Sequence, residues 1–321
     1  MSQSSEPIKE PEELRRSSKQ QPETKQSDNA EPKPTTQESG QQQSQSSLQA
    51  EIERIGRIDP YIGLQRDTDL FTSLDKWRDL RICSRVTSVD RLGLSKALDY
   101  YTKQRIKRRG GLLQVPAPVV YIEVEQHCRP TDLFLLILSF LSNPLDFGPL
   151  RDLRSRTWGT FKAYGVKILI VNNAEWLSLA ALNELVRIFE KTKISVILTG
   201  SLYLNDNFNP NSLKKKKYIN IHNTFLKYYE FSLLSQPDTA TVIQEWEISG
   251  LRWSKPLNLA MDTDIVKVLH DASQGQLRPL YENLREIAAW KLNNSRVQIN
   301  PQNISKALGI CSKPISKYTD I

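Results

Sequence analysis

The sequence predicts an α/β protein in which a parallel sheet is covered by helices on both faces and is followed by a small helical domain. Three observations predict this fold. Apolar, β-branched runs at residues 119–124, 167–171 and 194–200 alternate with amphipathic helices of about ten to fifteen residues. A Gly-x-Ser window at residues 93–95 follows a short apolar run, which is the layout of a strand, a turn and a helix. After Pro237 the pattern becomes helical throughout.

The elements follow in order from composition and periodicity. Residues 1–47 are rich in Ser, Gln, Glu, Lys and Pro, so we expect a disordered polar tail. Helical spacing of apolar residues predicts helices at 48–55, 68–80, from the 93–95 window to about 104, after Pro130, and at 151–163, 178–191, 238–248, 263–272, 276–291 and 301–308. Thr131 and Asp132 are the expected caps of the helix after Pro130. The predicted domains are the tail 1–47, an α/β core 48–235 and a helical domain 236–321.

Charge and cysteine usage narrow the class of protein. The 321 residues carry a net charge of +8, and residues 48–321 hold 38 Lys and Arg against 28 Asp and Glu, a net of +10. A basic folded part favours a polyanionic partner such as nucleic acid, and a merely soluble basic surface is the alternative. Three cysteines and three histidines are scattered without the spacing of a metal site or a disulfide framework, which indicates a reduced, cytoplasmic protein. Neither a signal peptide nor an apolar run of about 18 residues is expected, so no membrane partner is predicted.

The window from Ser88 to Ser95 has the layout of a phosphate-binding loop that lacks its phosphate-binding residues. Such a loop reads G-x-x-x-x-G-K-[ST], with glycines that let backbone amides surround the phosphates, a Lys for their oxygens and a hydroxyl for magnesium. Here Ser88 replaces the first Gly, Gly93 keeps the second, Leu94 replaces the Lys, and Ser95 keeps the hydroxyl. An ordinary strand-turn-helix connection is the alternative. Lys96 lies about 200° around the helix from Leu94, so it is expected to point away from the phosphate position.

Several phrases, taken in order, resemble one family. They are LQAEIERI, Arg85-Val86, Gly93-x-Ser95, VVYIEVEQHCRPTDLF, YGVKILIVNNAEWLS, ISVILTGSLYL and GQLRPLYENLREIAA. Together they resemble the TniB/TnsC family of AAA+ transposition regulators, including those of CRISPR-associated transposons. The resemblance covers about residues 48–310. It implies an AAA+ P-loop NTPase-like three-layer core with a helical lid.

The resemblance also implies that the catalytic positions have changed. The Walker A Lys falls on Leu94, and the Asp-Glu pair that ends the family's second strand motif falls on Asn172 and Asn173. Glu175 lies two residues later and is not an obvious substitute. The family's E-R-F-R arginines fall on residues 223–226, which contain none, and the lid's sensor Arg falls on Pro279, beside Arg278. The first sensor is kept best, in Thr199 or Ser201.

These changes predict a pseudo-ATPase with no catalytic residues, so enzyme activity is not expected. Weak or vestigial nucleotide binding is predicted at Ser88, Gly93, Leu94, Ser95, Thr199 and Arg278. The expected cofactor is none, or weakly bound ATP with magnesium, and Ser95 is a metal ligand only in the second case.

The family's ring assembly around duplex DNA implies a double-stranded DNA partner. The basic residues expected to contact DNA phosphates are Lys103, Arg105, Lys107, Arg108, Arg109, Arg151, Arg154, Arg156, Lys214, Lys215, Lys216 and Lys217. The predicted function is a catalytically degenerate regulator of DNA transposition. It would bind DNA, or assemble as a homo- or hetero-oligomer with an active AAA+ paralogue, a transposase or a target selector. The alternatives are an active ATP-dependent switch that uses unconventional residues, and a scaffold or immunity protein that binds no DNA.

Overall fold

The computed structural model of the protein describes residues 36–106, 116–143, 147–208 and 218–310. The chain divides into two units, Met1–Ser47 and Leu48–Ile321. The second unit holds the sheet and the candidate site. Predictions that concern residues 1–35, 107–109 and 214–217 lie outside the described residues.

The helices are named here in chain order. They are α1 (Thr36–Gly56), α2 (Gln65–Leu80), α3 (Leu94–Arg105), α4 (Pro130–Phe140), α5 (Leu150–Tyr164), α6 (Leu179–Thr192), α7 (Ile219–Thr224), α8 (Gln236–Glu245), α9 (Thr263–Ser273), α10 (Leu277–Asn293) and α11 (Pro301–Ala307). Short 3-10 turns cover Ala174–Trp176, Leu202–Phe208 and Leu259–Met261, and a π-helical turn, Trp246–Leu251, follows α8. Residues 36–47, part of the predicted tail, form the first turns of α1.

A five-stranded parallel sheet forms the centre of the second unit. Its strands are β1 (Ser84–Ser88), β2 (Val119–Glu123), β3 (Ile168–Asn172), β4 (Ser195–Ser201) and β5 (Lys227–Phe231). The order across the sheet is β2-β3-β4-β1-β5, and every pairing is parallel. The carboxyl ends of all five strands therefore lie at one edge, where parallel sheets place their binding sites.

Apolar side chains on both faces of the sheet explain its three layers. In β3, Ile168 and Ile170 enter one core with α2 and α3, while Leu169 and Val171 enter another with α4, α5 and α6. Alternating side chains of a strand point to opposite faces, so a strand that is apolar at every position is stable only between two helical layers. The predicted α/β fold is confirmed.

The helices after β5 form a third core with the segment that precedes α2. Asp262 caps α9 by accepting the amides of Asp264 and Ile265, and Ser235 caps α8 by accepting the amide of Asp238. Their apolar faces pack with residues from before α2, namely Ile55, Ile58, Ile62 and Leu64. The division into domains at residue 235 stays a prediction.

Two local expectations differ from the structure. Thr131 and Asp132 do not cap α4, because the helix already begins at Pro130. The Asp132 carboxylate instead accepts the backbone amide of Arg129 at 3.0 Å from the third position of the helix. The strand β5 was not predicted, since only Phe231 of its five residues is buried and the others are partly or fully exposed.

Candidate functional site

The loop between β1 and α3 forms one wall of a cleft at the carboxyl edge of the sheet. Ser88 ends β1, and Gly93 immediately precedes α3 with a φ of 88°, in the left-handed region that favours glycine. A Cβ at Gly93 would also lie 2.6 Å from Leu277 Cδ2, so that leucine side chain would have to move for a larger residue. Among the described residues, no backbone carbonyl accepts the amides of Leu94, Ser95 and Lys96. The start of α3 is therefore able to receive an anion.

The leucine at the lysine position of this loop is part of the hydrophobic core. Leu94 is 5% exposed and belongs to the core that contains Leu70 and Leu98. A phosphate-binding loop places an ammonium at this position, where it contacts phosphate oxygens. At this position the chain therefore has an apolar side chain in the core instead of an ammonium group.

The nearby Lys96 does not replace this cation. Lys96 lines the cleft, and the expectation that it points away from the phosphate position stays a prediction. Its ammonium forms an ion pair with the Asp59 carboxylate and donates to the Asp59 carbonyl at 3.0 Å. Its charge is therefore already compensated by an aspartate that lines the same cleft.

A buried arginine holds the loop from behind. Arg66 donates to the carbonyl of Leu92 at 2.8 Å and to that of Ser232 at 2.6 Å, and its guanidinium lies 4.5 Å from the centre of the Phe231 ring. Burial lowers the pKa of Arg66 from its usual value. Because the Arg66 guanidinium donates to two backbone carbonyls, it holds the loop in place and is not directed at a bound anion.

Asn172, at the end of β3, joins four polar groups in one hydrogen-bond network. Its Nδ2 lies 2.8 Å from Ser95 Oγ, 3.1 Å from the Tyr121 hydroxyl and 3.3 Å from Glu123 Oε1. Its Oδ1 accepts the Thr199 hydroxyl at 2.8 Å. The Glu123 carboxylate can only accept, so the amide must turn its NH₂ group towards Glu123 and Ser95. A donor therefore points at the Ser95 hydroxyl where an aspartate would help to bind magnesium.

Tyr121 connects this network to the surface. Burial first, and then the hydrogen bond to Glu123, raise the pKa of Tyr121 well above its usual value. The phenol therefore stays protonated and donates to the Glu123 carboxylate. As a result, the predicted nucleotide residue Thr199 is buried behind Asn172, and of this network Ser95 and Asn172 line the cleft.

The residues after Asn172 bring a carboxylate back into the cleft. Asn173 has a φ of 57°, which reverses the chain into the 3-10 turn Ala174–Trp176. Its amide makes one long hydrogen bond, 3.5 Å, to the carbonyl of Val124. Glu175 lines the cleft, and its Oε1 accepts the backbone amide of Ser201 at 3.1 Å. Glu175 lies two residues beyond Asn173 and was therefore not expected in the site. The left-handed conformation of Asn173 turns the chain back, so that Glu175 reaches the cleft.

The start of α10 closes the cleft from the lid side. The amide of Arg278 donates to the carbonyl of Arg91 at 3.1 Å, and Leu277 packs against Gly93. The Arg278 side chain is 72% exposed and forms an ion pair with Glu282 at 3.2 Å. Arg278, Tyr281 and Arg285 line the cleft, whose volume is about 560 Å³. Of the predicted nucleotide residues, the structure therefore gathers Ser88, Gly93, Leu94, Ser95 and Arg278 around one cleft.

The segment that aligns with the family's arginines lies at the end of α7. Phe225 is fully buried, and Leu226 is 63% exposed. Neither residue can supply a cation to a neighbouring subunit.

The described candidates for DNA contact are mostly engaged within the chain. Arg154 forms two hydrogen bonds with Glu184, at 2.9 and 2.7 Å, and Arg105 binds Asp75. Lys103 pairs with Asp99. Arg156 donates to the carbonyl of Phe147 at 2.9 Å. Arg151 is exposed at the start of α5, and a role for any of these residues in DNA binding stays a prediction.

Metal sites and membrane spans were also sought in the described parts of the chain. There, no group of three or more His, Cys, Asp and Glu side chains could hold a metal ion. None of the described helices is both long enough and apolar enough to cross a membrane.

Comparison with known proteins agrees with the geometry of the fold. Residues 85–208 match the family model described as an AAA domain. A chain of Drosophila ORC, from a structure of that protein bound to DNA, is similar over 90% of this chain and 70% of that chain, with 13% identity and a TM-score of 0.49. We draw no functional argument from a likeness at that level. A search of curated proteins found no match. The parallel sheet, the loop before α3 and the AAA domain match together identify the AAA+ P-loop fold.

Proposed function

We propose that this chain is a catalytically inactive AAA+ protein of the TniB/TnsC type that regulates DNA transposition as an assembly subunit. One observation carries the proposal: Leu94 stands where the phosphate-binding lysine is needed, and its side chain is buried in the core. A leucine side chain carries no charge, so it cannot attract a phosphate group at this position. The loop is therefore kept as structure while its function in catalysis is lost.

The size of the losses argues against hydrolysis. A hydrogen bond to a charged group contributes about 1.5–3 kcal/mol, so the missing lysine alone weakens phosphate binding about tenfold or more. An absent general base typically removes about 10²–10⁴ in rate, and an absent arginine finger about 10³–10⁵. Asn173 has no ionisable group, and residues 223–226 contain no arginine. Turnover at a useful rate is therefore not expected.

Some capacity for nucleotide remains in this proposal. The amides at the start of α3 and the Ser95 hydroxyl are still available at the cleft. We therefore propose that the cleft is empty or holds ATP and magnesium weakly. In either case the working form is an assembly, with an active AAA+ paralogue, a transposase or a target selector as the partner.

Binding to double-stranded DNA is the second part of the proposal. The net charge of +10 on residues 48–321 supports it, because phosphate contacts by Lys and Arg are independent of sequence. A specific observation favours a second candidate, a scaffold that binds no DNA. Arg154, Arg105 and Lys103 already pair with carboxylates of the same chain, so they are less available for phosphates.

The test of the first part is ATP turnover by the purified full chain. We expect no phosphate release above the rate of a buffer blank. The variant L94K/N172D/N173E, which restores three charged positions, is the matched comparison. Turnover by the wild-type chain that is abolished by Ser95→Ala would refute the proposal.

The test of the second part is DNA binding measured by fluorescence anisotropy at several salt concentrations. A DNA-binding regulator should lose affinity steeply between about 50 and 200 mM salt. A flat, weak signal at all salt concentrations would favour the scaffold. Co-purification with a transposase would support the assembly role under either outcome.

A further inference from the structure

Glu175 is a carboxylate in the cleft that the nucleotide-binding residues of the sequence do not account for. Its Oε1 accepts the Ser201 amide, while its Oε2 is buried and has no hydrogen-bond partner among the described residues. The carboxylate lies directly over Gly200, where an added Cβ would collide with Oε2. The absence of a side chain at Gly200 thus makes room for the carboxylate against β4.

The position of Glu175 relative to the loop defines what it would meet. β4 lies between β3 and β1 in the sheet, and the loop before α3 follows β1. A phosphate group bound by the amides at the start of α3 would extend its chain of phosphates towards the ends of β3 and β4. Asn172, Glu175 and Ser201 line that side of the cleft.

Four cationic residues line the cleft with Glu175, namely Arg91, Lys96, Arg278 and Arg285, and among the described residues none of them forms an ion pair with Glu175. The Lys96 ammonium pairs with Asp59, and the Arg285 guanidinium donates twice to the carbonyl of Ile58, at 3.0 and 2.7 Å. The exposed Arg278 pairs with Glu282 on its own helix. In the described residues, none of the ion pairs includes Glu175.

We propose that Glu175 occupies the place of a terminal phosphate and makes the cleft select nucleoside diphosphates over triphosphates. Its carboxylate already accepts an amide at the end of β4, and its negative charge repels a further phosphate there. This inference rests on the proposed function, in which the cleft is a non-hydrolysing remnant of a nucleotide site. The cleft would then bind ADP more tightly than ATP.

The experiment compares ADP and ATP binding by isothermal titration calorimetry, with and without Mg²⁺, on the full-length protein. In the wild type we expect ATP to bind at least about tenfold more weakly than ADP, because like charges meet in the cleft. Glu175→Gln keeps the acceptor for the Ser201 amide and removes the charge. We expect it to bring the two dissociation constants within about twofold by strengthening ATP binding.

The same comparison is made in a Leu94→Lys background, which adds a cation at the loop and raises affinity for both nucleotides. In this background the two dissociation constants can be compared even where the wild type binds nucleotide too weakly to measure. Glu125→Gln is the matched control, because Glu125 is an exposed carboxylate that does not line the cleft. It should leave the preference for ADP unchanged. Circular dichroism verifies that each variant is folded, and Glu175→Ala provides a second way to remove the charge.

The outcomes separate this inference from the proposed function. An unchanged ratio of ATP to ADP affinity in both Glu175 variants, or no ATP binding by either variant in either background, overturns the role of Glu175. Tighter binding of ATP than ADP by the wild type in Mg²⁺ also overturns it, since Glu175 would then attract a metal-bound phosphate. Phosphate release by the wild type would instead refute the proposed function.

Discussion

Replacing Asn172 by aspartate should destabilise this protein. Asn172 is 2% exposed, and its two amide protons serve the acceptors on Ser95, Tyr121 and Glu123. In Asn172→Asp both protons are lost, at about 1 kcal/mol each. The introduced carboxylate also faces Glu123 at 3.3 Å, which costs about 1 kcal/mol in a water-like environment and about 5 kcal/mol at an effective dielectric of about 20. Because Glu123 is exposed, we expect a total loss of about 3–5 kcal/mol at pH 7.

The assay is urea unfolding followed by circular dichroism between pH 4 and pH 8. The introduced carboxyl should have a raised pKa in the folded state against about 3.9 in the unfolded state. The loss of unfolding free energy that the carboxyl causes by its charge should therefore be small below about pH 4 and should grow as the pH rises through the folded pKa. Asn173→Asp is the matched control, since Asn173 makes one hydrogen bond of 3.5 Å, and its cost should stay below about 1 kcal/mol. An N172D protein as stable as the wild type at pH 7 would refute the claim that the Asn172 amide stabilises the fold through its hydrogen bonds.

Three further predictions concern stability, pH and the basic surface. Leu94→Ala should cost about 2–4 kcal/mol in urea unfolding, whereas Leu226→Ala at an exposed position should cost under about 0.5 kcal/mol; equal costs would contradict the core position of Leu94. Burial raises the pKa of the Cys83 thiol to about 12, so its contribution to stability is complete below about pH 8.5 and is lost as the pH rises towards 12. Urea midpoints at pH 8 and pH 10.5 should therefore fall less in Cys83→Ala than in the wild type, and parallel falls would contradict this. Arg154→Ala should lower stability by about 1–3 kcal/mol, because it removes a partner from a buried glutamate, whereas Arg151→Ala should not. In DNA anisotropy Arg151→Ala should have the larger effect, and the reverse order would argue against the DNA-binding proposal.

The central strands could be predicted from the sequence because buried strands are apolar at almost every position. The run Ile168–Val171 is apolar at each position, which is stable only with a helical layer on each face. The strand β5 carries no such signal. It pairs on one side only, with β1, and its Lys227 and Glu230 are exposed, so its residues resemble a loop.

The candidate site could be predicted only in part, because some of its residues are placed by contacts between distant parts of the chain. Gly93 and Ser95 could be placed from their spacing, because the geometry of a phosphate-binding loop is local. Glu175 could not, because its position depends on a left-handed residue at Asn173 and on the small Gly200 of another strand. The partner of Lys96 could not be predicted either, since a long side chain reaches Asp59, a contact that helical angles alone do not reveal.

Asn172 and Leu94 share one physical property: each is an uncharged, buried side chain at the cleft. The amide of Asn172 has nearly the shape of a carboxylate, and it satisfies its neighbours without a metal ion, since it donates to Ser95 and accepts from Thr199. Leu94 goes further, because it exchanges a solvated ammonium for apolar surface in a core. An introduced charge at either position would therefore lose contacts that the present side chain makes, and its cost should be largest where the position is most buried.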